Sequence, residues 1–118
     1  MKTAYRDVTA FITKDGSEIR ELIHPVTHGG GVMSFAEAII EPGGTTLLHL
    51  HGNTEEIYHI TAGSGRMRLD DAEFDISRGD TIAIPPGTPH NVTNTGAEAL
   101  KILCACHPAY SDEDTRLL

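Results

Sequence analysis

Two segments of the chain carry the residue types that bind metal ions. His49-Leu50-His51 is followed closely by Glu55-Glu56, and His90 stands behind Pro85-Pro86-Gly87. Two histidines one residue apart on a β-strand point to the same face, because strand side chains alternate with a period of two. That is a chelating geometry, and His90 with a nearby glutamate would bring a third imidazole and a carboxylate to the same ion. Imidazole and carboxylate suit divalent Fe, Mn, Ni, Cu or Zn, and four such ligands on an octahedral ion leave two positions for water, substrate or dioxygen. A divalent ion held by three neutral imidazoles and one carboxylate keeps residual positive charge. It can polarise a bound carbonyl or enolate, or acidify bound water.

The elements that must position these residues read as strands. Short alternating segments broken by Gly, Pro, Asn and Asp recur from end to end, and no stretch holds a 3.6-residue apolar period over three turns. Strands are expected over Tyr5 to Ile12, Ser17 to Ile23, Val32 to Ile40, Thr45 to His51, Glu56 to Thr61, Gly65 to Leu69, Glu73 to Ile76, Thr81 to Ile84, His90 to Asn94 and Ala99 to Cys106. Turns follow from Lys14-Asp15-Gly16, Glu41-Pro42-Gly43-Gly44, Ala62-Gly63-Ser64-Gly65, Asp70-Asp71, Arg78-Gly79-Asp80 and Asn94-Thr95-Gly96. About ten short strands in one chain of this length suggest a sandwich or a barrel. Pro25 to Gly31 reads as a loop, and Ser111-Asp112-Glu113-Asp114 as the cap of a last helical turn.

The spacing of the two segments carries a resemblance. Gly43 is followed after five residues by His49, after one by His51, after four by Glu56 and after six by Gly63. The second block runs Gly79, five residues, Pro85, one, Gly87, two, His90, three, Asn94. Both blocks resemble the paired signature motifs of the cupin superfamily, specifically from Gly43 to Asn94 and more softly over the flanking strands. The resemblance implies an all-β double-stranded β-helix, a jelly-roll barrel, with a metal inside one open end. It implies His49, His51, Glu56 and His90 as the metal ligands. Glu55 is the rival for Glu56, but Glu56 shares its face with Tyr58 and Ile60, the more apolar and hence interior set. The domain expected is 1–118, with a motif core at 43–94, N-terminal strands at 5–40 and a C-terminal strand and tail at 99–118.

For the remaining residues the sequence is less specific. Gly63 and Gly79 are expected to permit turns with positive φ, and Pro85 and Pro86 to stiffen the approach to His90. Tyr58 points inward after Glu56 and could hydrogen-bond substrate or donate a proton. His59 faces outward by parity, toward solvent or a subunit interface, while His24, His28 and His107 lie beside Pro or Gly and read as solvated. Met33, Phe35, Leu47, Ile60, Ile102 and Cys104 are candidates to line an apolar cavity. Arg66 and Arg68 alternate with Met67 and Leu69, which sets both arginines outside. Cys104 and Cys106 share a face with Cα atoms roughly 6.5–7 Å apart, at the outer limit for a disulfide, so two reduced, buried thiols are expected.

Composition excludes several partners. The chain has 118 residues, room for one modest core and none for a separate cofactor domain. Against 9 Lys and Arg stand 17 Asp and Glu, a formal charge of −8, which opposes nucleic acid and anionic lipid. Charges occupy the N-terminus where a signal peptide needs apolar residues, and no run approaches the ~20 apolar residues of a membrane span, so a soluble cytoplasmic protein is expected. Three functions remain: a metal-dependent oxidoreductase, dioxygenase-like, acting on a small oxygenated molecule, with Glu56 able to serve as a base; a non-redox isomerase, cyclase or decarboxylase; or a small-molecule-binding protein without turnover. Barrels of this family pair through outer sheet faces and exchanged terminal strands, and the segments before Gly29 exceed what a two-motif core requires. A homodimer is the resulting expectation.

Overall fold

A computed structural model describes residues 1–118. The strands are β1 (Phe11–Ile12), β2 (Glu18–Ile23), β3 (Ser34–Ile40), β4 (His49–His51), β5 (Glu55–Ala62), β6 (Ser64–Leu69), β7 (Ala72–Ser77), β8 (Thr81–Ile84), β9 (His90–Asn94), β10 (Leu100–His107) and β11 (Thr115–Leu117), with one short helix, α1 (Pro25–His28). They form a six-stranded sheet in the order β1-β2-β3-β10-β5-β8 and a five-stranded sheet in the order β11-β4-β9-β6-β7, every pairing antiparallel. This is the expected all-β jelly roll.

Alternation decides which side chains meet between the sheets. In β5, Glu56, Tyr58 and Ile60 are buried while Glu55, Ile57 and His59 are exposed. In β10, Leu100, Ile102, Cys104 and Cys106 are buried. Register then stacks the interior in layers, with Cys106 opposite Glu56, Cys104 opposite Tyr58 and Ile102 opposite Ile60. The layers pass from a carboxylate through a phenol to hydrocarbon. At the hydrocarbon end Ile60, Met67, Ile76, Val92, Leu100 and Ile102 pack in one cluster. Each such side chain contributes about 1.5–3 kcal/mol on burial, so this end can carry the cost of polar groups at the other.

The sequence misplaces five features, each for a physical reason. Tyr5–Asp7 is a single 3-10 turn and only Phe11–Ile12 is strand. The Tyr5 hydroxyl donates to Glu37 of β3 and the Arg20 guanidinium lies over the Tyr5 ring, which lays this segment across the sheet. Pro25 to Gly31 is not all loop, because Pro25 opens α1 and the His24 ring accepts the Val26 N–H as its N-cap. His24 is therefore buried rather than solvated, its other ring nitrogen donating to the Tyr110 carbonyl at 2.7 Å. Thr45 makes only an isolated bridge to Thr93, and strand begins at His49. The tail forms no helix: the Ser111 hydroxyl accepts the Asp114 N–H as a cap would, but Thr115–Leu117 runs on as β11 against β4. Gly63 and Gly79 do take positive φ, 82° and 95°.

Candidate metal centre

β4 and β9 bring the three histidines together. His49 pairs in register with His90, and His51, two residues along β4, faces the same side. All three are buried, and their candidate ligand nitrogens lie within 4.8 Å of one another. The ring centroids stand 4.3 Å apart for His49 and His90, 5.1 Å for His49 and His51 and 5.4 Å for His51 and His90. From the opposite sheet, Glu56 sends Oε1 to 3.2 Å from His51 Nε2 and 3.6 Å from His90 Nε2. Glu55 is exposed, so parity selects Glu56 as expected.

Each imidazole is fixed in one tautomer. His49 Nδ1 is 2.7 Å from the Leu47 carbonyl and His90 Nδ1 is 2.8 Å from the Thr88 carbonyl. A carbonyl oxygen only accepts, so both Nδ1 atoms carry the proton. His51 Nδ1 is 3.0 Å from Thr115 Oγ1, whose own proton goes to the Ser111 carbonyl. The hydroxyl is thereby left to accept, and His51 also holds its proton on Nδ1. In the neutral rings all three Nε2 lone pairs face inward, the arrangement that a hydrogen bond from the other ring nitrogen imposes on metal-ligating histidines.

Glu56 faces the three rings. Its Oε2 accepts the Cys106 thiol at 3.2 Å, while Oε1 and His90 Nε2 are buried with no hydrogen-bond partner. Burial pushes the Glu56 carboxyl up, but His51 and His90 in their protonated form donate to it and attract it by charge, which outweighs burial and holds the pKa at about 2. Burial and the neighbouring His90 push His49 below its ordinary value, against the pull of the Leu47 carbonyl and Asp15. Two orphaned buried polar atoms are costly unless something bonds them. Lone pairs and a carboxylate oxygen aimed at one another are the donor set a divalent transition metal satisfies, and the three histidines could hold such an ion.

A small cavity of about 50 Å³ adjoins the cluster. Tyr58, Ile102, Cys104, Cys106, Ile19, Ala38 and Tyr110 are among its lining residues, with His49, His51 and Glu56. Burial, reinforced by the Glu56 charge, pushes the Tyr58 hydroxyl and the Cys104 thiol well above their ordinary values. Both thiols are free and buried.

The family model described as "Cupin domain" matches residues 36–106. The chain is a cupin. Over 118 residues, all of this cupin and 94% of its relative, it is 52% identical to an uncharacterized protein of Methanocaldococcus jannaschii. It is 32% identical over 81 residues to protein SchB of Streptomyces halstedii, a match covering 69% of the cupin and 59% of SchB. Among solved structures, a predicted oxalate decarboxylase of Thermotoga maritima superposes with a TM-score of 0.79 at 24% identity, over 92% of the cupin and 99% of that chain. Oxalate decarboxylase of Bacillus subtilis gives 0.85 at 22% identity, over 100% of the cupin and 32% of the larger chain. The nucleoside dehydratase Pac13 gives 0.79 at 17% identity, over 100% of the cupin and 90% of that chain. At these identities the structural likeness is one of fold.

Several cupin residues sit elsewhere than the sequence suggests. Met33 and Leu47 are 52% and 53% exposed and Phe35 is 39% exposed, so none lines the cavity, whereas Ile102 and Cys104 do and Ile60 lies in the core. Met33 and Leu47 fall outside regular strand, where alternation has no hold, and Phe35 takes the outer face of β3. Asn94 lies in the far layer, its amide donating to the Ile40 and Glu98 carbonyls and its oxygen accepting the Gly96 N–H, a structural role. Arg66 is exposed and pairs with Asp75 at 3.1 Å, and Arg68 is exposed too.

Sequence reasoning missed Asp15. Its backbone carbonyl accepts the Leu47 N–H, and its Oδ2 lies 3.7 Å from His49 Nε2. An Asp-Gly pair is fully explained by a turn, so nothing local announced a side chain that reaches the cluster.

Proposed function

We propose that this single-domain cupin is a metal-dependent enzyme acting on a small oxygenated molecule. His49, His51, Glu56 and His90 are the ligands of one divalent transition-metal ion, and the adjoining cavity is the substrate site. The observation that carries the reading is the convergence of three Nε2 atoms, proton-free in the neutral rings, and the orphaned Glu56 Oε1 beside a small cavity. When bound, the ion supplies Lewis acidity and, if it is Fe or Cu, electron transfer. The chain itself orients, excludes water and holds protons. Tyr58, kept protonated by burial and the Glu56 charge, faces substrate as a hydrogen-bond donor rather than as a base. Ala38, Ile40, Val92 and Ile102 form the dry wall.

A dioxygenase-like oxidoreductase is favoured by the ligand count, since four protein ligands leave two positions on an octahedral ion. Non-redox chemistry is favoured, by fold analogy alone, by the decarboxylase and dehydratase among the structural relatives. Oxygen-electrode and anaerobic turnover assays on Fe- and Mn-loaded protein separate them. Substrate-dependent oxygen uptake supports the first, anaerobic product the second. Ligand-dependent thermal stabilisation with no product in either condition overturns the enzyme reading in favour of a binding protein.

The homodimer belongs to the same proposal. Ile23, Phe35, Ala105, Ile57 and Ala83 stand in register across five strands of the larger sheet, and Phe35 and Ile57 are exposed. A second copy covering that apolar row accounts for it. A monomeric mass at micromolar concentration in sedimentation contradicts this. A cytoplasmic location belongs to the same proposal, and the free, buried Cys104 and Cys106 are compatible with it. No helix is long and apolar enough to cross a membrane.

A further inference from the structure

Building on the proposed site, we infer that the cavity takes a small molecule that is uncharged or cationic and rich in hydrogen-bond donors, held by the carboxylates of Asp15 and Glu21, and that it rejects dicarboxylates.

The lining residues include Asp15, Glu21 and Glu56 but no lysine or arginine. The cations nearest in sequence are committed elsewhere. Lys14 Nζ donates to the Asp112 and Thr115 carbonyls, and Arg20 lies over the Tyr5 ring. Three carboxylates outweigh one divalent ion, so the cavity repels an anion even when metal is bound. Like charges brought together in a partly desolvated site repel one another strongly.

The hydrogen-bond inventory points the same way. Thr13 Oγ1 and the Ser17 N–H and Oγ lie 2.8, 3.0 and 2.7 Å from Asp15 Oδ1, and all three can donate to it. That oxygen is saturated, and the hydroxyls that satisfy it are spent. Ser34 Oγ accepts the Tyr110 N–H and Thr46 Oγ1 accepts the Val92 N–H, so each hydroxyl keeps its own proton, while the Tyr110 hydroxyl donates to Asp112. The charged groups left for a ligand are both acceptors: Asp15 Oδ2 beside His49, and the half-buried Glu21 carboxylate on β2 opposite Ala36. The donors left are the neutral hydroxyls of Tyr58, Ser34 and Thr46. A buried acceptor is satisfied only by a donor, so the complementary ligand carries hydroxyl or ammonium groups.

The test uses a matched pair of probes, 2-aminoethanol and glycolate, similar in size and opposite in charge. Both are titrated by NMR into Zn-loaded wild type and into Asp15→Asn/Glu21→Gln, which keeps every side-chain volume and the Asp15 Oδ1 acceptor. Wild type is expected to prefer 2-aminoethanol, and the variant to shift the preference toward glycolate by about tenfold or more. The comparison between proteins cancels whatever the zinc itself contributes. A wild type that prefers glycolate, a preference the variant leaves unmoved, or no shift of cavity amides with either probe overturns the inference. The same titration on metal-free wild type separates this inference from the metal reading. Failure to load zinc sinks the metal site alone, because the carboxylates still favour 2-aminoethanol there.

Discussion

The Cys106 thiol donates to Glu56 Oε2 at 3.2 Å, which leaves Oε1 alone facing His51 and His90. The contact joins register partners on β10 and β5, so the sheet itself sets the carboxylate's rotation. Burial and the adjacent Glu56 charge push the thiol far above its ordinary value, so it remains a donor at every physiological pH. Cys106→Ala is expected to free the carboxylate and weaken metal affinity about 10-fold, while Cys106→Ser, which keeps a donor, stays close to wild type. Chelator competition reads the difference; equal affinities in all three proteins would remove Cys106 from the site.

Thr115 plays the equivalent part for His51. It lies on β11, which pairs with β4 through Thr115 and His51 themselves. Nearby, the Asp114 carboxylate accepts the Asn53 and Thr54 N–H groups in the turn between His51 and Glu56. Burial nudges the Asp114 carboxyl upward, but those N–H groups outweigh it and hold the pKa below its ordinary value. Thr115→Val keeps the shape and removes the acceptor, so His51 loses its fixed tautomer. Metal affinity should fall roughly 10- to 100-fold with the fold retained. Histidine NMR in the metal-free variant should show His51 sampling both tautomers; a single Nδ1–H form with unchanged affinity contradicts the assignment.

Acid should loosen the metal-free protein in two stages. His49 has a folded pKa below its ordinary 6.5, so its neutral form is favoured by folding and stability declines as pH falls below that value. Glu56 is lowered from 4.5 to about 2, so its contribution is complete above 4.5 and is lost as pH falls through 2. Urea midpoints between pH 8 and pH 2 should therefore decrease in both windows, and His49→Gln should remove the upper one. Midpoints that rise on acidification from pH 7 to pH 5 would have the wrong sign for a buried neutral histidine.

The legibility of this chain tracks the regularity of its backbone. Where strand alternation runs uninterrupted, as from Glu55 to Ala62, sequence selects Glu56 over Glu55 and turns Tyr58 inward, and the structure agrees. The same parity places His59, Arg66 and Arg68 outside. It fails at Met33 and Leu47, where the chain leaves regular strand, and it cannot say that Phe35 faces out rather than in. Contacts between distant segments are the other blind spot. β11 is a three-residue strand whose pairing with β4 is a tertiary choice, and the path of Asp15 to His49 depends on the Leu47 N–H meeting the Asp15 carbonyl. Neither leaves a trace in local composition.

The central claim is that His49, His51, Glu56 and His90 hold one divalent metal ion. Elemental analysis of protein purified without added metal, and again after reconstitution with Fe, Mn, Ni, Cu or Zn, tests it most directly when run beside a His51→Ala/His90→Ala variant whose fold is verified by circular dichroism. The account predicts close to one ion per wild-type chain after reconstitution and essentially none in the folded variant. A wild type that takes up no ion under any of these conditions, or a variant that binds as much as wild type, contradicts it.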